Sequence, residues 1–161
     1  MNLIKPSFEI LEQAPGIQGV KQQIERAGRT CYKSEDKITD TSCEEFVSRM
    51  VNSGHGAMLE HGTVYLQIPF KCIDVSSKLE IPIIEDLVFK YTENKYSRCI
   101  TINHVAYITT NYRVLAENGW LDDLQYQCEP TEYHERRITV KFICDRGVSH
   151  EFVRHKLLCV A

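Results

Sequence analysis

An excess of positive charge is the first thing the chain lacks. Over 161 residues, 19 Lys and Arg stand against 22 Asp and Glu, giving a formal net charge of -3. No global positive field is available to hold a nucleic-acid backbone or an anionic membrane surface. Apolar runs extend only a few residues, and the start MNLIKPSFEI lacks the basic-then-apolar stretch of a signal peptide. The expectation is a cytoplasmic protein with neither a nucleic-acid nor a membrane partner. The 7 cysteines form an odd set without a C-x-x-C pair, which fits neither a disulfide framework nor a zinc ribbon. Reduced, mostly buried thiols follow. Internal repeats, low-complexity tracts and Pro/Gly/Ser-rich linkers are all missing, so residues 1–161 read as one domain. With no G-x-G-x-x-G or G-x-x-x-x-G-K turn, the sequence encodes neither a Rossmann nor a P-loop site.

What remains is 43% hydrophobic and 25% charged, the balance of an ordinary globular core and surface. The segment SFEILE from Ser7 to Glu12, bounded by Pro6 and Pro15, reads as a short strand. Ile17, Val20, Ile24 and Ala27 recur at helical spacing up to Cys31, with Gly28 weakening the last turn. Thr41-x-x-Glu44 forms a capping box for a helix over 41–53, with Gly54 as its stop. Val64, Leu66 and Ile68 alternate with Tyr65 and Gln67, as in a strand exposed on one face and ending near Pro69. The stretch 71–98 carries little signal and reads as a lid or peripheral insertion. Ile100 to Thr109 reads as a strand, Asn111 to Gln127 as a helix, and Ile138 to Cys144 as a strand. Asp145 then caps a last helix that carries Ser149 to about Leu158. The fold class expected is α+β, a mostly antiparallel sheet with helices packed on one face, in a single domain.

Two constellations could carry chemistry. The first is Gly54-His55-Gly56-Ala57-Met58-Leu59-Glu60-His61, between a helix end and a strand start, where loops often hold functional side chains. His55 could hydrogen-bond or stack on a planar ligand, and Glu60 could orient His61 and raise its basicity. The bland alternatives are a cap neighbour without a ligand and a hydrogen bond that holds the loop. The second is Arg154-His155-Lys156, three adjacent donors able to grip phosphates. Its alternative is a solvated helix end favoured by the macrodipole. His150 and His155 do not make a zincin pair, because five residues on a helix separate them by about 140°.

Together the segments resemble the flavin-dependent thymidylate synthase family, whose signature begins R-H-R-x-x-S and whose upstream G-H-x-x-x-x-E-H segment precedes a strand. The matching residues are Gly54-His55, Glu60-His61, Arg154-His155-Lys156 and Cys159, with Ala27-Gly28-Arg29-Thr30-Cys31-Tyr32 similar to the family's first helix. Matches run over about 17–34, 41–68 and 138–159, with 71–135 as an insertion. The resemblance implies a homotetramer that binds FAD and converts dUMP to dTMP, with NADPH and methylenetetrahydrofolate as co-substrates. It places His55, Ala57, Arg154, His155 and Lys156 at the cofactor, and Glu151, Phe152, Val153 and Arg154 at dUMP. It assigns no covalent catalytic residue and no metal. Lys156, Cys159 and Glu151 depart from the usual Arg, Ser and Gln, and the sequence stops before the signature's remaining Asn, Ser and Arg-Tyr. The expectation is a truncated or frame-shifted member. The alternatives are a non-catalytic flavin- or nucleotide-binding remnant or assembly partner, and a protein using Cys and His for metal.

Overall fold

Three antiparallel strands form the central sheet, in the order β2 (Thr63–Pro69), β4 (Val105–Asn111), β3 (Arg98–Ile102). The computed structural model describes residues 5–69 and 84–152. A separate two-stranded ribbon pairs β1 (Ser7–Leu11) antiparallel with β5 (Thr139–Ile143). Helices α1 (Gly16–Tyr32), α2 (Ser42–Asn52), α3 (Gly56–Leu59), α4 (Ile84–Thr92), α5 (Tyr112–Asn118) and α6 (Arg146–Phe152) complete the set, with 3-10 helices at Glu35–Lys37 and Leu121–Tyr126. The α+β class, the antiparallel pairing and the single domain are as expected, with the strands divided between two sheets.

Alternation sets the core face of the central sheet. Val64, Leu66 and Ile68 on β2 lie opposite Thr110, Ile108 and Ala106 on β4. They pack with Val20 and Ile24 of α1, Phe46, Val47 and Met50 of α2, Leu59 of α3 and Leu115 of α5. The apolar stripes of α1 and α2 read from the sequence are therefore the faces turned inward. Gly28 is where the reading of α1 changes. A Cβ there would stand 2.4 Å from the Phe46 ring, so the missing side chain lets α1 and α2 approach.

Local chemistry explains the other differences. The Thr41 side chain makes no capping bond to α2. Ser42 intervenes: its hydroxyl accepts from the Thr39 N–H at 2.8 Å and donates to Glu25 at 2.8 Å, while Glu44 pairs with Lys21. The strand read over 100–109 is a hairpin, because Asn103 (φ 48°) and His104 (φ 62°) both adopt left-handed conformations, the requirement of a two-residue turn whose twist matches the strands. The helix read over 111–127 starts where the Asn111 side chain accepts from the Val114 N–H at 3.0 Å, and breaks at Gly119, whose φ is 71°.

The outer face of β2 is also less open than alternation implies. Tyr65 is only 9% exposed, because the 127–137 segment lies over it: the Cys128 N–H donates to the Tyr65 carbonyl at 3.0 Å. Within the described residues, the region read as peripheral is central. In the 71–98 stretch Tyr91 of α4 is fully buried, and in the wider 71–135 insertion β3 and β4 build the central sheet; residues 70–83 lie outside the described residues. Of the described cysteines only Cys43 is buried, with Cys99, Cys128 and Cys144 partly so and Cys31 exposed, which corrects the expectation of mostly buried thiols. No helix among the described residues is long and apolar enough to cross a membrane.

Candidate functional site

The end of α1, the outer side of α2 and the start of α3 meet at one corner. The chain leaves α1 through Lys33 in a left-handed conformation (φ 50°), with the Ser34 N–H bonded back to the Arg29 carbonyl at 2.9 Å. This anchors Tyr32 at the helix end. From the other side, the His55 N–H donates to the Met50 carbonyl at 3.0 Å and places His55 just ahead of α3. The side chains meet: Tyr32 Oη lies 2.6 Å from His55 Nδ1, with the rings inclined by 25° and their centroids 6.4 Å apart. Both residues are exposed, and so is Ala57 two residues on.

Phe46 of α2 lies buried against α1 at Gly28. The Arg29 and Arg49 guanidinium carbons stand 4.9 and 5.2 Å from its ring centroid, within cation–π range. The two arginines differ in commitment. Arg29 donates from Nε and Nη2 to Glu25 Oε1 at 3.1 and 3.0 Å, which neutralises a carboxylate that is 1% exposed. Arg49 is exposed and meets no carboxylate among the described residues, so its charge is available to an anion.

Glu60 and His61 take other roles than the sequence implied. Glu60 is bound by the Arg113 guanidinium, which also donates to Glu117 at 2.7 Å; these two carboxylates hold Arg113 more firmly charged than an isolated arginine. Burial pushes the His61 imidazole below its usual range against the opposing pull of the Glu60 charge, and Nε2 is buried without a partner among the described residues. The expected gain in basicity is thus reversed by desolvation.

The remaining candidates fall elsewhere. Glu151 and Phe152 lie on α6, whose first turn is capped as expected by Asp145 accepting from the Val148 N–H at 3.1 Å. Phe152 rests against Phe142 of β5, with ring centroids 4.9 Å apart, so α6 is anchored on the ribbon. Val153, Arg154, His155 and Lys156 lie outside the described residues, as does the rest of the expected last helix. His55 and Ala57 therefore share a corner with Tyr32, which was not singled out as a ligand contact in the sequence. Tyr32 and His55 meet only through folding across 23 residues, which no local pattern encodes.

A second imidazole cluster has no sequence signature either. His134 is 6% exposed between Tyr65 and Tyr107, which meet it edge-on at 5.3 and 5.5 Å. Its Nδ1 accepts from the Thr131 N–H at 3.0 Å, and Nε2 donates to the Leu66 carbonyl at 3.1 Å. Cys128 Sγ lies 3.9 Å from Nε2, yet burial raises the thiol and lowers the imidazole. With both ring nitrogens committed to the backbone and the thiol held neutral, this pair fastens a loop and does not make a nucleophile.

A cavity of about 340 Å³ lies between α1 and the 38–40 segment, lined by Gln23, Glu25, Arg26 and Asp40 among others, apart from His55. Among the described residues no three His, Cys, Asp or Glu side chains converge as metal ligands. Comparison with protein-family models, with curated proteins and with solved structures gives no match to this chain.

Proposed function

We propose that the chain is a flavin-dependent thymidylate synthase, a cytoplasmic homotetrameric flavoprotein that converts dUMP to dTMP with methylenetetrahydrofolate and NADPH. The observation that carries the reading is the corner itself: an exposed imidazole fixed by a phenol. Such a corner fits a planar ligand, since the His55 ring offers an edge and a face, and Arg49, exposed on α2, offers a charge-assisted bond to an anion. FAD, when bound, supplies the hydride and carbon-transfer chemistry that amino-acid side chains lack. The chain's part is to bind and orient. His55 would meet the ring system, and Ala57, carrying only a methyl group, leaves the α3 surface open to its approach. By the family resemblance Arg154, His155 and Lys156 would add cofactor contacts, with Glu151, Phe152, Val153 and Arg154 on the dUMP side.

A second reading is a flavin-binding assembly partner without turnover. It is favoured by the apolar exposure of the β1–β5 ribbon, where Phe8 is 70% and Ile10 58% exposed. One experiment separates the readings. The purified chain is incubated with FAD, passed through gel filtration, scanned for the visible flavin band, and then assayed anaerobically with dUMP, NADPH and methylenetetrahydrofolate. A co-eluting flavin band and dTMP are expected for the enzyme, and a band without dTMP for the partner. Colourless protein would overturn both. His55→Ala should weaken FAD binding by about 1–2 kcal/mol through the lost hydrogen bond, in a fluorescence titration.

A further inference from the structure

We propose that Tyr32 is a positioning residue that holds His55 with its proton on Nε2, so that the ligand-facing side of the ring is a hydrogen-bond donor. The proposal rests on the flavin reading only for the identity of the ligand. The geometry is a 2.6 Å approach of Tyr32 Oη to His55 Nδ1. A neutral imidazole has one N–H donor and one nitrogen acceptor, and a phenol can fill either role. The lone pair of the bare imidazole nitrogen is a far better acceptor than a phenolic oxygen, whose electrons are drawn into its ring. The Tyr32 hydroxyl therefore donates to Nδ1, and the imidazole proton resides on Nε2.

Both partners are held by backbone, which gives the contact its direction. Tyr32 ends α1 where Lys33 and Ser34 bond back onto Thr30 and Arg29, and His55 is tied through its own N–H to Met50. With the ring centroids 6.4 Å apart, the hydrogen bond sets the imidazole orientation and stacking adds little. His55 Nε2 has no partner among the described residues, and the side chain is exposed, so its N–H is free for a ligand. The site then selects a ring that presents a carbonyl oxygen or a bare ring nitrogen at this point and disfavours one that presents only N–H groups.

The test reads the tautomer directly and the ligand separately. The full chain is labelled with 15N-histidine, and two-bond proton–nitrogen spectra are recorded above the imidazole titration range for the parent chain and for Tyr32→Phe. Tyr32 is 46% exposed, so the variant loses a hydroxyl without disturbing the core. The expected result is a His55 ring in the Nε2–H form alone in the parent, and a mixture of both tautomers in Tyr32→Phe. An Nδ1–H ring in the parent, or identical His55 signals in both proteins, overturns the proposal whether or not any flavin binds. FAD titration of Tyr32→Phe, His55→Gln and the double variant then follows. Loss of the hydroxyl should weaken binding about three- to ten-fold in the parent background, the size of one neutral hydrogen bond, and have no effect once His55 is replaced. Additive losses would mean that Tyr32 acts on the ligand by itself and would overturn the proposal. Absence of FAD binding with the Nε2–H form present would remove the flavin reading and leave the positioning role of Tyr32 supported.

Discussion

His55 is exposed and oriented by a phenol, whereas the half-buried His61 and the buried His134 are kept neutral by the cost of charging them out of water. That difference gives the chain an acid-sensitive side. For both rings the folded value lies below the ordinary 6.5, so on acidification the unfolded chain binds protons first. The stabilisation they give is whole above about pH 6.5 and is lost as the pH falls from there through their folded values. At His134 the loss has a visible structural form, because a protonated Nδ1 can no longer accept from the Thr131 N–H. Urea unfolding midpoints should therefore fall between about pH 7.5 and about pH 5.5, and His134→Gln should flatten part of that slope at some cost in stability at neutral pH. An unchanged slope in the variant would assign the acid sensitivity to other groups.

Between elements, α4 and the 3-10 helix at 121–126 are joined by a buried polar contact. Tyr91 is fully buried, its hydroxyl donates to Asp123 Oδ2 at 2.5 Å, and Lys90 Nζ reaches the same oxygen. The Trp120 ring lies edge-on to Tyr91 at 5.1 Å. Burial and the adjacent carboxylate push the Tyr91 phenol well above its usual range, so it stays a donor at any physiological pH. Tyr91→Phe should cost about 1–3 kcal/mol in urea unfolding, since Asp123 would be left buried with Lys90 as its one cation among the described residues. A loss under about 0.5 kcal/mol would mean that the ion pair alone satisfies the carboxylate. This part of the fold was the least legible in the sequence. α4 is short and follows Pro82, and its buried face depends on an Asp123 that lies 32 residues away. The Asn103-His104 turn was hidden because it lacks the glycine that marks most two-residue hairpin turns. α1, α2, β2 and β5 were legible because their apolar spacing matches the faces they turn inward or pair. At the candidate site His55 and Ala57 stood out through their local motif, whereas Tyr32 became visible only once α1 and α3 were brought together.

The whole molecule presents one surface that the described core does not use. On the β1–β5 ribbon Phe8 pairs with Phe142 and Ile10 with Val140, so alternation puts all four on one face, while Glu9 faces Lys141 on the other. Phe152 covers part of the Phe142 ring, yet Phe8, Ile10, Ile138, Phe142 and Val148 are each more than 40% exposed. That is on the order of 500 Å² of apolar surface, a large share of the roughly 800 Å² that each partner contributes to a stable interface. A two-stranded ribbon is marginal alone and has two open edges. A second copy of the chain satisfies both needs at once, since two-fold pairing would set each ribbon's apolar face against its equivalent. Parent protein should therefore sediment as an oligomer whose mass falls on dilution, and Phe8→Glu with Ile10→Lys should shift it to the monomer. Folding should persist in the variant, because neither residue touches the Phe46–Ile108 core, and the single tryptophan, Trp120, packed against that core, reports this by its fluorescence. A parent chain that is monomeric at every concentration would sink self-association through this face, and a variant that still associates would move the interface to another surface.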